Sequence, residues 1–270
     1  MEKLNLNPFG LSAQPYDPVA AGKMKVDSIN SLPGTLTGYD CPKCLNRGTY
    51  MVLRDDGSFF ARECSCMKIR RCVWEMERSG LQNSIREKTF EAFAATEDWQ
   101  KTIKTGAMAY AENPEGWLLF CGQSGCGKTH LCTAVCRHRL LTGDEVRYMP
   151  WRDAVAELKG LALDSERRAE LISAYKKAQI LYIDDLYKVG KAADGSSNPT
   201  GADVSLAFEI LNYRYINDLS TIISTEKTPM ELVQIDEATG SRCIEKAGKN
   251  VFSIGRNQKR NYRLRDVVSV

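Results

Sequence analysis

From Phe90 onward, short apolar runs alternate with longer amphipathic stretches, the pattern of a parallel sheet covered by helices. The runs predict strands at 117–121, 145–149, 180–184, 221–225 and 250–253, enough for one doubly wound sheet, and a helix at 129–141. Ahead of this, residues 41–66 read as a compact cysteine-bearing unit. Residues 67–79 then carry Ile69, Cys72, Val73 and Met76 at helical spacing, with Gly80 as a stop. The first forty residues hold Pro8, Pro15, Pro18 and Pro33 among polar positions and show no period, so they are expected to form a flexible arm. The Gly, Ser, Asn and Pro content of 192–201 marks an exposed loop. The expected organisation is therefore an arm at 1–40, a cysteine unit with its helix at 41–80, and an α/β domain at 81–270.

With 43% hydrophobic and 26% charged residues, the chain can bury a core and is not of the disordered class. No apolar run approaches the roughly 18–20 residues that a bilayer requires. Residues 1–10 lack the basic start and apolar middle of a secretion signal, so a cytoplasmic protein without a membrane partner is expected. In a reducing compartment, ten cysteines point to thiols and metal ligands rather than disulfides. A net charge of +3 does not by itself argue for nucleic acid. Its distribution says more, because Arg256, Lys259, Arg260, Arg263 and Arg265 crowd the C-terminal end against only Asp266.

The segment Gly122-Gln123-Ser124-Gly125-Cys126-Gly127-Lys128-Thr129 fits the eight-position P-loop pattern, directly after a predicted strand and directly before a predicted helix. Glycines let successive N–H groups curl around phosphates, and the helix N-terminus adds its positive dipole end. Lys128 is expected on the β and γ oxygens of ATP, Thr129 on Mg2+, and the following His130 beside the nucleotide. The apolar run at 180–183 ends in Asp184 and Asp185. Asp184 is the candidate second magnesium ligand, and Asp185 stands where a base can polarise the attacking water.

These motifs carry a resemblance. Phe90-Glu91-Ala92-Phe93, the run from Trp117 through the P-loop to Leu131, and Ile183-Asp184-Asp185-Leu186 together resemble the DnaC and DnaI helicase loaders and their phage relatives, which share an AAA+ core with the IstB transposition helpers. Tyr213-Arg214-Tyr215, the stretch 221–225, Gly240-Ser241-Arg242 and Asn261-Tyr262-Arg263-Leu264 resemble further landmarks. The resemblance implies that 221–225 is a sensor strand. It also implies that Arg242 acts in trans on a neighbouring subunit's γ-phosphate, so that hydrolysis requires self-association. Two positions depart from the pattern: Asp185 replaces the longer Glu of many relatives, and Glu226 stands where a sensor Asn is frequent. A carboxylate there opposes a phosphate, which argues against sensing by Glu226 and for slow basal turnover. Arg242 also reads as a surface arginine, Arg214 as a structural helix residue, and Arg263 as either a sensor or part of a DNA-facing tail.

Cys41-Pro42-Lys43-Cys44 and Cys64-Ser65-Cys66 bracket a predicted hairpin of 48–54 and 58–64, turning at Asp55-Asp56-Gly57. Folding the ribbon brings four thiolates together as a Zn2+ site, the alternative being unligated thiols. Cys72 reads as a core position of its helix, and Cys126 fills a variable position of the P-loop that needs no redox role. Tyr148 and Trp151, beside Arg147 and Arg152, can stack bases of single-stranded DNA or pack the sheet edge.

The fold class expected is α/β: an AAA+ P-loop core with a five-stranded parallel sheet, preceded by a small zinc-binding module. The resemblance implies a slow ATPase that loads a DnaB-like hexameric replicative helicase onto single-stranded DNA, in a bacterium or a phage-infected host, with the cysteine module meeting the helicase. The alternatives are a transposition helper, a nucleotide-dependent DNA-binding adaptor that hardly hydrolyses, and a zinc-containing DNA-binding regulator.

Overall fold

The computed structural model describes residues 17–78, 84–188, 198–257 and 260–264. The chain divides into two compact units, Met1–Met67 and Lys68–Val270.

The first unit opens with helix α1 (Pro18–Asn30). Asp17 caps it by accepting from the Val19 and Ala20 N–H groups, and Pro18 occupies the first turn, where a missing N–H costs nothing. A hairpin of β1 (Thr49–Leu53) and β2 (Phe59–Glu63) follows, in antiparallel register from Thr49 opposite Glu63 to Leu53 opposite Phe59. Gly57 turns the hairpin at φ +82°. The helix runs close over this turn: a Cβ on Gly22 would lie 2.2 Å from the Gly57 carbonyl oxygen. Asn30 completes the join by donating from Nδ2 to Met51 O and accepting from Met51 N. The arm expected across 1–40 is thus corrected over 18–30, where a capped helix lies against the hairpin. Residues 1–16 fall outside the described residues. Helix α2 (Cys66–Arg78) starts at the last cysteine of the cluster and carries the chain into the second unit; Gly80, its expected stop, lies outside the described residues.

The second unit continues through α3 (Ser84–Glu87), α4 (Asp98–Glu112), β3 (Trp117–Gly122), α5 (Lys128–Leu141), β4 (Val146–Pro150), α6 (Trp151–Gly160) and α7 (Ser165–Lys177). After these come β5 (Ile180–Asp184), α8 (Gly201–Ile216), β6 (Ser220–Ser224), α9 (Pro229–Ile235), α10 (Glu237–Ala247) and β7 (Val251–Ile254). The five strands form one parallel sheet in the order β4-β5-β6-β3-β7. Each lies within a residue of its expected bounds. Strands β3 and β5 are buried at every position, which is why they read as unbroken apolar runs. Among the described residues, no helix is long and apolar enough to cross a membrane. Most of the expected loop at 192–201 lies outside the described residues.

Three side chains settle open alternatives. Tyr148 and Trp151 are 4% and 1% exposed, and Trp151 packs edge-on against Tyr187. Neither ring is available to stack a base, so of the two alternatives the packing one holds for both. Arg214 is wholly buried: it donates to Thr221 Oγ1 and to the backbone carbonyls of Tyr175, Lys176, Ala178 and Ser220. Burial pulls its pKa down to about 10, so the guanidinium stays charged and ties the end of α7 to the start of β6. Removing one donor that satisfies so many buried acceptors leaves them without partners. Arg214→Leu is expected to lower unfolding stability by roughly 3 kcal/mol or more, measured by urea denaturation.

Candidate nucleotide site and cysteine cluster

The loop between β3 and α5 owes its curvature to glycine. Gly122, Gly125 and Gly127 have φ of +111°, +77° and +96°, a region that side chains avoid. Backbone closes in as well: a Cβ on Gly122 would stand 2.0 Å from Ile254 O. The chain beyond β7 clasps the loop from outside. Gln123 donates from Nε2 to Asn257 O and accepts from Asn257 N, and Tyr262 N donates to Gly125 O. Lys128 Nζ donates to the loop's own carbonyls at Gly122 and Gln123, at 2.7 and 2.8 Å. Cys126 donates to Gln123 O, which accounts for it as a loop-packing residue.

Asp184, at the carboxyl end of β5, is 7% exposed and collects four hydroxyls. Its Oδ1 accepts from Thr129 Oγ1 at 3.1 Å, Tyr182 OH at 2.6 Å and Ser224 Oγ, while Oδ2 accepts from Tyr148 OH at 3.0 Å. Burial and the Asp184 charge push the Tyr182 phenol far above its ordinary pKa, so it remains a donor. The two candidate magnesium ligands, one from α5 and one from β5, are thus in direct contact. Asp185 follows in a left-handed conformation at φ +58°, its N–H on Ser224 Oγ. Burial, and then the charge of Asp184, raise its pKa.

A cavity of about 500 Å³ opens beside this cluster, with Ser124, Lys128, Thr129, Asp185 and Glu226 along one part of its wall. His130 lines it too, but its ring is occupied: Nε2 lies 2.8 Å from Thr89 O, and Phe93 packs edge-on at 5.3 Å. A carbonyl only accepts, so Nε2 carries the proton, and burial pushes the His130 pKa down. Arg263 also lines the cavity, with Nη1 3.4 Å from Ser124 Oγ, so this arginine faces the loop. Lys259 and Arg265, counted earlier in the basic end, lie outside the described residues. Arg242 sits apart on α10, its Nη1 on Ala238 O and its guanidinium 5.4 Å from the rings of Phe208 and Tyr215. The sequence does not single out Lys188, or mark Tyr182 and Ser224 within their apolar runs as partners of the site. For the first, the spacing of three from Asp185 was the available signal.

The match to the family of IstB-like ATP binding protein spans residues 55–239. The chain belongs to this family. A phage-like element PBSX protein, XkdC of Bacillus subtilis (strain 168), is 30% identical over 241 residues, covering 85% of this chain and 88% of XkdC. The replicative helicase loader DnaC of Escherichia coli (strain K12) is 28% identical over 129 residues, which is 46% of this chain and about half, 51%, of that loader. A crystal structure of the DnaC helicase loader superposes with TM-score 0.50 at 21% identity, over 64% of this chain and 98% of that one. That likeness carries the fold, an AAA+ P-loop core.

In the first unit, Cys41, Cys44, Cys64 and Cys66 are buried with their sulfurs all within 4.8 Å of one another. The pairs Cys41 to Cys64 and Cys44 to Cys66 stand 3.7 and 3.5 Å apart. Four sulfurs at the usual zinc distance of about 2.3 Å are separated by about 3.8 Å in a tetrahedron, so the cluster fits Zn2+. Leu45 and Asn46 at φ +47° and +66° form the first knuckle, and Gly48 N donates to Cys44 Sγ. Burial raises the Cys44 pKa, but the Gly48 N–H and the neighbouring thiols outweigh it and bring it down to about 6, towards thiolate. Val26 and the four cysteines are the buried apolar residues described in this unit, too few for a core that stands without a metal. Elemental analysis of the full chain is expected to show about one zinc per chain. Cys44→Ser with Cys66→Ser should abolish it and expose the hairpin to protease.

Proposed function

We propose that this protein is an ATP-hydrolysing loader of a hexameric replicative helicase, working in the cytoplasm of a bacterium or a phage-infected cell and delivering the helicase to single-stranded DNA. The observation that carries the ATPase chemistry is the contact of Thr129 and Asp184 beside Lys128. A hydroxyl and a carboxylate meeting at the N-terminal end of α5 suit Mg2+, and the glycine loop suits the phosphates. In this reading, Gly122, Gln123, Ser124, Gly125, Cys126, Gly127, Lys128, Thr129 and His130 surround the nucleotide. Asp185 orients the attacking water and draws its proton. Magnesium held by Thr129 and Asp184 would supply charge neutralisation on the phosphate oxygens.

The loader assignment is supported by the DnaC likeness, and a phage setting by XkdC, a protein of a phage-like element. Arg242 lies on a helix away from its own cavity, and in this reading it leaves the Ala238 carbonyl and the rings of Phe208 and Tyr215 to serve a neighbouring copy, which makes turnover depend on assembly. The cysteine unit is the helicase-facing part. The resemblance to the IstB transposition helpers, together with the match to the IstB-like family, supports a second reading, a transposition helper with a transposase partner.

Sizing the full chain with the host's replicative helicase in ATP and in ADP tests partner and nucleotide together. A complex with ATP, together with turnover stimulated about tenfold or more by helicase and single-stranded DNA, is expected. Lys128→Ala should remove both nucleotide binding and stimulation, and Arg242→Ala should lower the stimulated rate while leaving binding intact. Absence of any complex and of stimulation refutes the loader reading. A complex without stimulation points instead to an adaptor.

A further inference from the structure

Two carboxylates stand where a terminal phosphate would meet the sheet edge. Asp185 follows β5 and Glu226 follows β6, neighbouring parallel strands, so both lie at the carboxyl edge. Both line the cavity that holds Lys128 and Thr129. In P-loop chemistry those two residues mark the terminal phosphates and the magnesium. Left alone, the two acids would repel that end of a nucleotide. They are not left alone: Lys188 Nζ is 2.7 Å from Asp185 Oδ2 and 3.1 Å from Glu226 Oε1.

An ammonium has three N–H donors, and these acids take two. The Lys188 side chain lines the same cavity as Lys128, which is bound to the carbonyls of its own loop. We propose that Lys188, held by Glu226 and Asp185, is a second phosphate-binding cation of this site, and the one that distinguishes a triphosphate from a diphosphate. The inference rests on the nucleotide-site reading above and adds a specificity residue to it. Glu226 has a defined part: paired on two sides, the ammonium is not drawn wholly onto Asp185. The acid at this position therefore helps hold an ammonium donor at the cavity wall, and the two acids with their lysine carry one negative charge instead of two. Burial lowers the Lys188 pKa, but the hydrogen bonds and charges of Asp185 and Glu226 outweigh it and raise it, so the group is an ammonium at neutral pH.

The test compares binding of ADP and of a non-hydrolysable ATP analogue, each with magnesium, to the full chain and to Lys188→Met, Lys188→Arg and Glu226→Gln. Lys188→Met is expected to weaken the triphosphate about tenfold, one charge-assisted hydrogen bond, while ADP affinity stays within about twofold and shows that the variant is folded. Lys188→Arg should restore most of the selectivity. Glu226→Gln should lower it in the same direction, because its neutral amide no longer holds the ammonium away from Asp185. Equal effects of Lys188→Met on both nucleotides, or none, overturn the proposal. So does tighter triphosphate binding or faster turnover in Lys188→Met, since the lysine then only occupies Asp185. A wild-type chain that binds neither nucleotide defeats the ATPase reading and this one together. Binding of both by the wild type, without discrimination by Lys188, defeats this one alone.

Discussion

The carboxylate of Asp184 is the point on which the second unit turns. A buried carboxylate is tolerated only when its lone pairs are met, and four hydroxyls from different elements meet these. Tyr148 comes from β4, Tyr182 from the same strand β5, Ser224 from β6 and Thr129 from α5. Only the order β4-β5-β6 brings them together, with β5 in the middle and α5 against the edge. The donors are neutral, so they fix the orientation of Asp184 without cancelling its charge. A cation arriving between Asp184 and Thr129 thus finds a negative charge already aimed at it. Tyr148 is buried for the same reason: its hydroxyl is needed inside, and the ring follows.

The phosphate loop is constrained from two directions. Inside, three glycines at positive φ let it curl, and Lys128 holds its carbonyls. Outside, the chain after β7 is laced to it through Asn257 and Tyr262, with Arg263 beside Ser124. Gly125 faces Asn261 so closely that a Cβ would lie 1.9 Å from its side-chain oxygen. The C-terminal segment therefore cannot shift without disturbing the loop. An arginine that reads in the sequence as part of a basic tail belongs, by this lacing, to the nucleotide cavity.

What was legible in the sequence was whatever depends on neighbours along the chain. The strands announced themselves as apolar runs because a parallel sheet buries both faces, and the P-loop because its geometry demands glycines at set spacings. The four cysteines were legible because a hairpin symmetric about Asp55-Asp56-Gly57 brings its ends together. What was not legible depends on distant partners. Helix α1 lacks a strong apolar stripe and is held by a cap, by the close approach at Gly22 and by Asn30, none of which shows as a period. Arg214 resembles any helix arginine until β6 and the end of α7 close over it. Glu226 looks out of place by a phosphate, and only the fold reveals that a lysine 38 residues earlier stands against it.

The three acids at the sheet edge show how one sign of charge can be held in two ways. Asp184 is stabilised by hydroxyls and keeps its full charge for a cation; Asp185 and Glu226 share an ammonium, and the three groups together carry a single negative charge. Had hydroxyls served all three, the edge would carry three negative charges beside a phosphate site, and repulsion would disfavour the ligand whose cation Asp184 is placed to hold. Had a lysine of its own served each of the three, no net charge would be left for the metal. The division follows from depth. Asp184 is the last residue of β5, where the neighbouring strands and α5 supply hydroxyl side chains. Asp185 and Glu226 lie just beyond the strand ends, where a long side chain from the following turn can reach both.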